Sequence, residues 1–198
     1  MASQQYDIFA VTIPASDADF YVTTTKPTGA ADLTLAATIP GQNGVGYKVS
    51  VTSDGDETLK GFVITGTGSN GATITETVTG PNATATTSTN YFSSVSSISV
   101  NAATAGNVTV GYSATTGVTL PMTRIKGLYY VGATAAGSIV VTRQSDSRVL
   151  LDVKTPAGSG AFADSLYLAA EGIKVAKTPD DMATVVTTNL TATTLFCG

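Results

Sequence analysis

Apolar and polar residues alternate along much of this chain, and the alternation predicts β-strands rather than helices. Across residues 47–52, one tyrosine and two valines alternate with lysine, serine and threonine, the pattern of a half-buried strand. Ile98 and Val100 repeat the pattern, and 108–110 follows after an Ala-Gly-Asn turn. Signals of this kind recur at intervals of roughly 8 to 15 residues, which is typical of sandwiches and barrels.

The clearest pairing signal is a hairpin between residues 62–67 and 73–79. The connecting residues 68–71 are Gly-Ser-Asn-Gly, and both Asn and Gly tolerate the positive φ that tight hairpin turns require. In the second strand the threonines share one face, while Ile74, Glu76 and Val78 share the other. We expect the threonine face to be exposed to solvent, and a neighbouring subunit could also dock there.

Further strands are predicted on both sides of this hairpin, at 8–13, at Leu33 with Leu35, and at 125–131, 139–142, 149–153, 164–168, 172–176, 183–188 and 193–197. The segments 23–29 and 113–121 are rich in Thr, Gly and Pro, and we interpret them as loops. Helical signals are confined to 163–171, which fits a strand as well, and to one possible turn at 178–182.

These elements predict an all-β protein with little helix. We expect two small antiparallel β-sandwich or barrel-like domains, of the immunoglobulin-like or jelly-roll type. The predicted organisation is an N-terminal strand or arm at 1–20, a Thr-rich β-sandwich domain at 21–115 and a C-terminal β-domain at 120–198. Threonine suits such strands because its branched Cβ restricts χ1.

Composition removes most routes to catalysis. The 198 residues include no His, no Trp and one Cys, so His-based triads are excluded and zinc lacks its usual ligands, and we predict no enzyme, catalytic residue or cofactor. A pair of glycosidase carboxylates stays formally open with Glu76, Asp152 and Glu171 as candidates, although no spacing links them. We interpret them as isolated polar residues on open faces.

Charge, cysteine content and the N-terminal residues bear on binding partners and on where the chain folds. The net charge of −4 and the scattered basic residues argue against nucleic acid. Cys197 has no second cysteine with which to form an intrachain disulfide. The first seven residues lack the basic and apolar regions of a secretory signal, and no apolar run approaches a membrane span. We therefore expect folding inside a cell and no membrane partner.

Two acidic clusters raise the question of a cation. Asp54, Asp56 and Glu57 fall in one turn, and Asp17 with Asp19 forms a second cluster. Calcium prefers six to eight oxygen ligands, and neither cluster matches an EF-hand loop. A polar β-turn is the simpler interpretation, so no metal site is predicted.

Large amphipathic and apolar side chains suggest where the chain meets a partner. From residue type we select Tyr6, Ile8, Phe9, Tyr129 and Tyr130 as interface residues. Packing within the core or between strands is the competing interpretation, and Tyr129 and Tyr130 must point to opposite faces of one strand.

Two stretches carry a resemblance to known proteins. The first begins at Val49-Ser-Val-Thr-Ser-Asp-Gly-Asp-Glu, continues through 62–71, 74–82 and 95–100, and ends with Ala105-Gly-Asn-Val-Thr-Val-Gly. It is similar to a Thr-rich module in virion proteins of tailed bacteriophages. The second runs from Ile125-Lys-Gly-Leu-Tyr-Tyr-Val through Ala170-Glu-Gly-Ile to Phe196 and resembles small phage structural proteins.

The resemblance implies a non-enzymatic virion component, assembled in the host cytoplasm. The favoured role is a capsid decoration or cement protein on the capsid surface, which stabilises the head by binding the major capsid protein as a homo-oligomer, with a trimer favoured. A head–tail connector or tail component is the alternative, and a surface carbohydrate-binding or adhesin module ranks below it.

Overall fold

In the computed structural model, the described residues are 9–40, 44–120, 124–132, 135–155, 163–167, 173–174 and 182–197. These residues form strands and loops without helix, which confirms the all-β prediction. Sixteen strands occur among them: β1 Phe9–Ile13, β2 Asp17–Thr25, β3 Ala31–Asp32, β4 Gly46–Ser53, β5 Gly61–Thr67, β6 Thr73–Thr79, β7 Ala85–Phe92, β8 Ser94–Val100, β9 Val108–Leu120, β10 Arg124–Gly132, β11 Gly137–Arg143, β12 Val149–Thr155, β13 Ala163–Tyr167, β14 Ile173–Lys174, β15 Ala183–Thr188 and β16 Leu190–Cys197.

The chain divides into two compact units. The central unit is Ser16–Thr119, and the terminal unit combines Met1–Ala15 with Leu120–Gly198. These bounds differ from the predicted segments 1–20, 21–115 and 120–198. Within the region assigned to an arm, β1 pairs with β16 of the terminal unit, whereas β2 begins at Asp17 in the central unit.

The central unit is built from two antiparallel layers. One sheet has the order β3-β8-β5-β6, and in the other β7 pairs with β4, β4 with β9, and β9 with β2. The layers meet at the Phe92 ring of β7, which lies 3.1 Å from where a Cβ on Gly66 of β5 would stand. Both sheets contribute side chains to this core, including Val49, Phe62 and Ile98, all fully buried.

The predicted hairpin is present with its predicted turn. β5 and β6 pair in continuous register, with Phe62 opposite Val78 and Thr67 opposite Thr73. Gly71 adopts a φ of 80°, as expected for the Asn-Gly turn. The four threonines at 73, 75, 77 and 79 are exposed, and Thr65 and Thr75 join their hydroxyls across the strands at 3.1 Å.

The terminal unit also consists of antiparallel strands. β1, β16, β10 and β13 lie side by side in that order, with β14 also on β10, while β11 lies between β12 and β15. Ile125, Leu128, Ile139 and Leu195 are fully buried within it. The described sheets do not close into barrels, so the sandwich alternative describes the fold.

Several local predictions are wrong. Residues 113–120 are not a loop, because β9 continues to Leu120, and Thr23–Thr25 belong to β2. Leu33 and Leu35 lie beyond the two-residue β3, although the Leu33 amide still donates to the Ile98 carbonyl oxygen at 2.8 Å.

Two further assignments concern weak sequence signals. β7 was not predicted, because its first six residues are Ala, Thr, Ser and Asn without a large apolar side chain. Residues 163–167 form strand β13, and the possible helical turn at 178–182 lies largely outside the described residues.

Candidate functional site

The acidic turn, residues 54–60, is organised around the buried carboxylate of Glu57. The Glu57 side chain has no solvent exposure. Its Oε1 accepts hydrogen bonds from Ser53 Oγ at 3.0 Å and the Gly106 amide at 2.8 Å, while its Oε2 accepts from the Ala105 amide at 3.1 Å. The Lys60 ammonium lies 2.7 Å from Oε2 and completes the set.

These partners determine the ionisation of Glu57. Burial opposes the charged form, but the hydrogen bonds from Lys60, Gly106, Ala105 and Ser53 outweigh it and lower the pKa from 4.5 to about 2. Glu57 is therefore a carboxylate at neutral pH, with four donors around it. A general acid would require the opposite shift.

The two exposed carboxylates of the turn are also engaged. Asp54 accepts from the Asn107 amide at 2.6 Å and from Asn107 Nδ2 at 2.8 Å, and these bonds lower its pKa. Asp56 Oδ1 accepts from the Thr58 amide at 3.0 Å and from Thr58 Oγ1 at 2.7 Å, which lowers its pKa as well. The geometry therefore fits the predicted polar turn.

Within the described ranges, no group of three or more His, Cys, Asp or Glu side chains is placed to hold a metal ion. In the second acidic cluster, Asp17 Oδ1 accepts from the Asp19 amide at 3.2 Å, a local turn contact.

Four connections meet at one end of the central unit, which we call the loop end: residues 26–30, 54–60, 80–84 and 101–107. Backbone hydrogen bonds join them directly, from Asp54 to Asn107 at 3.2 Å, Glu57 to Pro81 at 2.8 Å, Ala83 to Gly55 at 2.9 Å, and Thr104 to Pro27 at 2.9 Å. Gly55 and Gly106 approach so closely that a Cβ on either would collide with the backbone of the other. The four connections of the loop end are therefore closely packed and joined by backbone hydrogen bonds.

Glu76 joins strands of the two different sheets. Its Oε1 accepts from the Thr89 amide at 2.6 Å and its Oε2 accepts from the Asn90 amide at 2.8 Å. Thr86 Oγ1 adds a bond of 2.9 Å to the Thr79 carbonyl oxygen. Because β6 and β7 each end their sheet in the described part of the chain, these bonds close the side of the sandwich; we call them the edge seam.

The other glycosidase candidates do not join Glu76 in a described site. Asp152, on β12 of the terminal unit, pairs with Lys154 at 2.9 Å, and both side chains are well exposed. Glu171 lies outside the described residues.

An aromatic cluster lies between β2, β4 and β9. The Tyr112 ring contacts Phe20 at 5.2 Å and Tyr47 at 5.1 Å between centroids, and Phe20 also contacts Tyr21 at 5.2 Å. Burial, with smaller contributions from neighbouring phenols, raises the pKa of Tyr21 and Tyr47. Neither of their buried hydroxyl groups has a hydrogen-bond partner among the described protein atoms.

The residues selected as an interface have different environments. Tyr129 is half-buried and Tyr130 is only 6 % exposed, on neighbouring positions of β10. Phe9 begins β1 and pairs with Cys197, while Tyr6 and Ile8 lie outside the described residues. Their role as an interface stays a prediction.

Two surface features were missed by the sequence interpretation. Leu59, at the tip of the acidic turn, is 95 % exposed. A groove of about 270 Å³ lies beside β2 and β3, lined by Val22, Thr23–Thr25, Pro27 and Ala31–Thr34. Neither feature has a sequence signature, because the exposure of one side chain and the shape of a groove follow from the folded backbone and not from residue type.

No protein-family model matches the sequence, and no curated protein matches it either. Among the residues that the structure describes, no helix is long and apolar enough to cross a membrane.

Proposed function

We propose that this protein is a non-enzymatic structural protein of a tailed-bacteriophage virion. Within that class we favour a capsid decoration protein that binds the major capsid protein as a homo-oligomer. The observation that carries the structural role is how the carboxylates are used: Glu57 joins loops, and Glu76 joins sheets. The phage assignment comes from the sequence resemblance.

The chemistry of Glu57 supports a structural role over catalysis. A general acid or base works best with a pKa near the operating pH, and enzymes raise the pKa of a carboxyl group by burial to reach it. Glu57 is buried, yet its pKa is lowered to about 2 by surrounding donors. Such a group stays ionised at neutral pH, and its hydrogen bonds hold the loops in place.

The edge seam supports a protein that assembles through defined surfaces. Exposed strand edges pair indiscriminately with other chains unless they are protected. Bonds from Thr86 to Thr79 and from two β7 amides to Glu76 connect β6 with β7 and leave less free edge. A lattice-binding protein benefits from this protection, because its contacts must be specific at high local concentration.

The test is cosedimentation of the purified protein with empty shells assembled from the major capsid protein of the same genome. We expect saturable binding with a fixed ratio of copies to capsid subunits, and shells that resist heat or urea better once coated. Binding to shells of an unrelated capsid protein is the control for nonspecific adhesion.

The same preparation separates the alternatives. Binding to purified connectors or tail tubes but not to shells would replace decoration with the connector or tail assignment. No binding to shells, connectors or tail tubes would contradict the virion proposal itself.

A further inference from the structure

We propose that Asn70 is a site of spontaneous covalent modification, at which the side-chain amide is lost and part of the product carries its main chain through the side chain of residue 70. The site is the tip of the β5–β6 hairpin, where Gly71 follows Asn70. The reaction requires only the folded chain and water, so it is independent of what the protein binds.

The reaction begins when the Gly71 main-chain nitrogen loses its proton to hydroxide and attacks Cγ of Asn70. As the new C–N bond forms, the side-chain nitrogen takes a proton from water and leaves as ammonia, and a five-membered succinimide remains. Water then adds to one of the two succinimide carbonyl carbons and breaks the ring C–N bond there. Addition at Cγ gives aspartate, and addition at the main-chain carbon gives isoaspartate, whose main chain contains an additional methylene group. No group is oxidised or reduced.

Three features of the hairpin tip favour this attack. Asn70, Gly71 and Ala72 are all exposed to solvent. Gly71 has no side chain to hinder its nitrogen, and no described atom beyond the adjacent residues lies within 4 Å of where a Cβ would stand. The Ala72 amide donates to Asn70 Oδ1 at 3.1 Å, so it stabilises the negative charge that develops on this oxygen during the attack.

One hydrogen bond opposes the attack and must open first. The Gly71 amide donates to the Gly68 carbonyl oxygen at 2.9 Å. The base of the turn is held separately, since Gly68 and Ser69 are buried and Ser93 Oγ donates to the Gly68 carbonyl oxygen at 2.9 Å. Opening of the exposed tip therefore costs less free energy than unfolding of the domain. We expect Asn70 to react from the native state, more slowly than it would in an unfolded chain.

The acidic turn contains a comparable pair of residues that the fold protects. Asp54 precedes Gly55, and an Asp-Gly pair can form the same succinimide with loss of water. Both carboxylate oxygens of Asp54 accept from Asn107, at 2.6 and 2.8 Å. Gly106 packs against Gly55 so closely that a Cβ on either would collide with the other. The two pairs look alike in the sequence, but only the one at the hairpin tip has room to react.

Asparagines elsewhere in the described chain lack the same combination of features. Asn101 precedes an alanine, and its Oδ1 accepts from the Gly61 amide at 3.0 Å. Asn107 precedes Val108, whose branched Cβ hinders the approach of its nitrogen. The described asparagines outside the hairpin tip are all followed by a residue with a side chain: Asn82, Asn90, Asn101, Asn107 and Asn189. Asn43 also precedes a glycine, but it lies outside the described residues.

The first experiment incubates the folded protein at mildly alkaline pH and follows each asparagine separately by peptide mapping with fragment mass spectrometry. We expect aspartate and isoaspartate to accumulate at position 70 at least about tenfold faster than at Asn101 or Asn107. Asn70→Gln is the control, because its longer side chain would have to close a six-membered ring, and it should show no conversion at position 70. Conversion of Asn70 no faster than that of Asn101 and Asn107 would overturn the inference.

The second experiment tests whether the reaction proceeds from the folded turn. Glu57→Ala removes a buried carboxylate at the other end of β5, so the unfolded population should rise at least about a hundredfold while the hairpin tip is unchanged. We expect Asn70 to be converted at the wild-type rate in this variant. Urea below the unfolding transition of the wild type gives the same test without a substitution. A rate that rises with the unfolded population would show that the native turn protects Asn70, and the inference would be wrong.

Discussion

Two buried polar clusters of the central unit are built in opposite ways. Around Glu57, both carboxylate oxygens accept hydrogen bonds and an ammonium group balances the charge. At Tyr21 and Tyr47, the hydroxyl groups have no partner among the described protein atoms. A buried charge without partners would lose far more solvation energy than a phenol, whose large ring gains from burial.

The positions of the two clusters explain the difference. Glu57 lies where loops meet, and loop amides such as those of Ala105 and Gly106 are available because no sheet neighbour uses them. Tyr47 lies on β4, which is paired with strands on both sides, so nearby backbone groups are engaged in the sheet. Loop amides can therefore donate hydrogen bonds to a buried charge, whereas the backbone amides around Tyr47 are already used within the sheet.

The largest effect should come from Glu57→Ala. Removing one partner of a buried ion pair leaves the Lys60 ammonium without its counter-charge and the Ala105 and Gly106 amides without their acceptor, so we expect the free energy of unfolding to fall by about 3–5 kcal/mol. Urea unfolding followed by circular dichroism measures it.

The matched control for Glu57→Ala is Asp152→Ala, which removes a carboxylate from an exposed ion pair with Lys154. We expect it to change stability by less than about 0.5 kcal/mol. Similar losses in both variants would mean that burial and donor number do not separate the two carboxylates.

A smaller loss is expected from Glu76→Ala in the edge seam. Glu76 is half-buried and accepts from two amides of β7, so we expect a loss of about 1–2 kcal/mol. Faster hydrogen exchange at the Thr89 and Asn90 amides would locate the effect. Thr77→Ala, on the exposed face of the same strand, is the control and should leave those two amides unchanged.

Removing the hydroxyl groups of the buried tyrosines should not lower the free energy of unfolding. Tyr47→Phe removes a hydroxyl group without a described partner and keeps the ring, so the free energy of unfolding should stay the same or rise by up to about 1 kcal/mol. Tyr21→Phe should behave likewise. A loss of 1 kcal/mol or more (about fivefold in the unfolding equilibrium) would show that the hydroxyl is hydrogen-bonded in solution.

The smallest expected effect is that of added calcium on the melting temperature. Each carboxylate of the acidic turn already accepts bonds from its own donors, so we expect millimolar Ca²⁺ to leave the melting temperature as it is in EDTA. A rise that Asp56→Asn abolishes would restore the cation interpretation.

The sequence predicted those parts of the fold that depend on neighbouring residues. The β5–β6 hairpin was predictable because alternation and an Asn-Gly turn lie within one short segment. The end of β9 was not, because its Thr- and Gly-rich residues resemble a loop, and their strand conformation depends on pairing with residues distant in the chain, such as those of β4. Gly117, with a φ of 99°, interrupts the local pattern further.

The roles of the acidic residues were harder to predict from the sequence. The spacing of Asp54, Asp56 and Glu57 was enough to predict a polar turn. The burial of Glu57 was not, because its amide donors lie 48 and 49 residues away in the chain. Likewise, Glu76 alternates with Ile74 and Val78 as a strand residue should, but its partners belong to a strand that the sequence did not predict.

The pH dependence of stability tests the central claim, that the Glu57 carboxylate holds the loop end together. Its pKa is lowered from 4.5 to about 2 in the folded protein, so its contribution is present above pH 4.5 and is lost as the pH falls toward 2. Urea unfolding from pH 7 to pH 2.5 should therefore show a steeper loss in the wild type than in Glu57→Gln, which lacks this titration. Asp54 and Asp56, whose pKa values are also lowered, titrate in both proteins. Parallel curves for the two proteins would contradict the account.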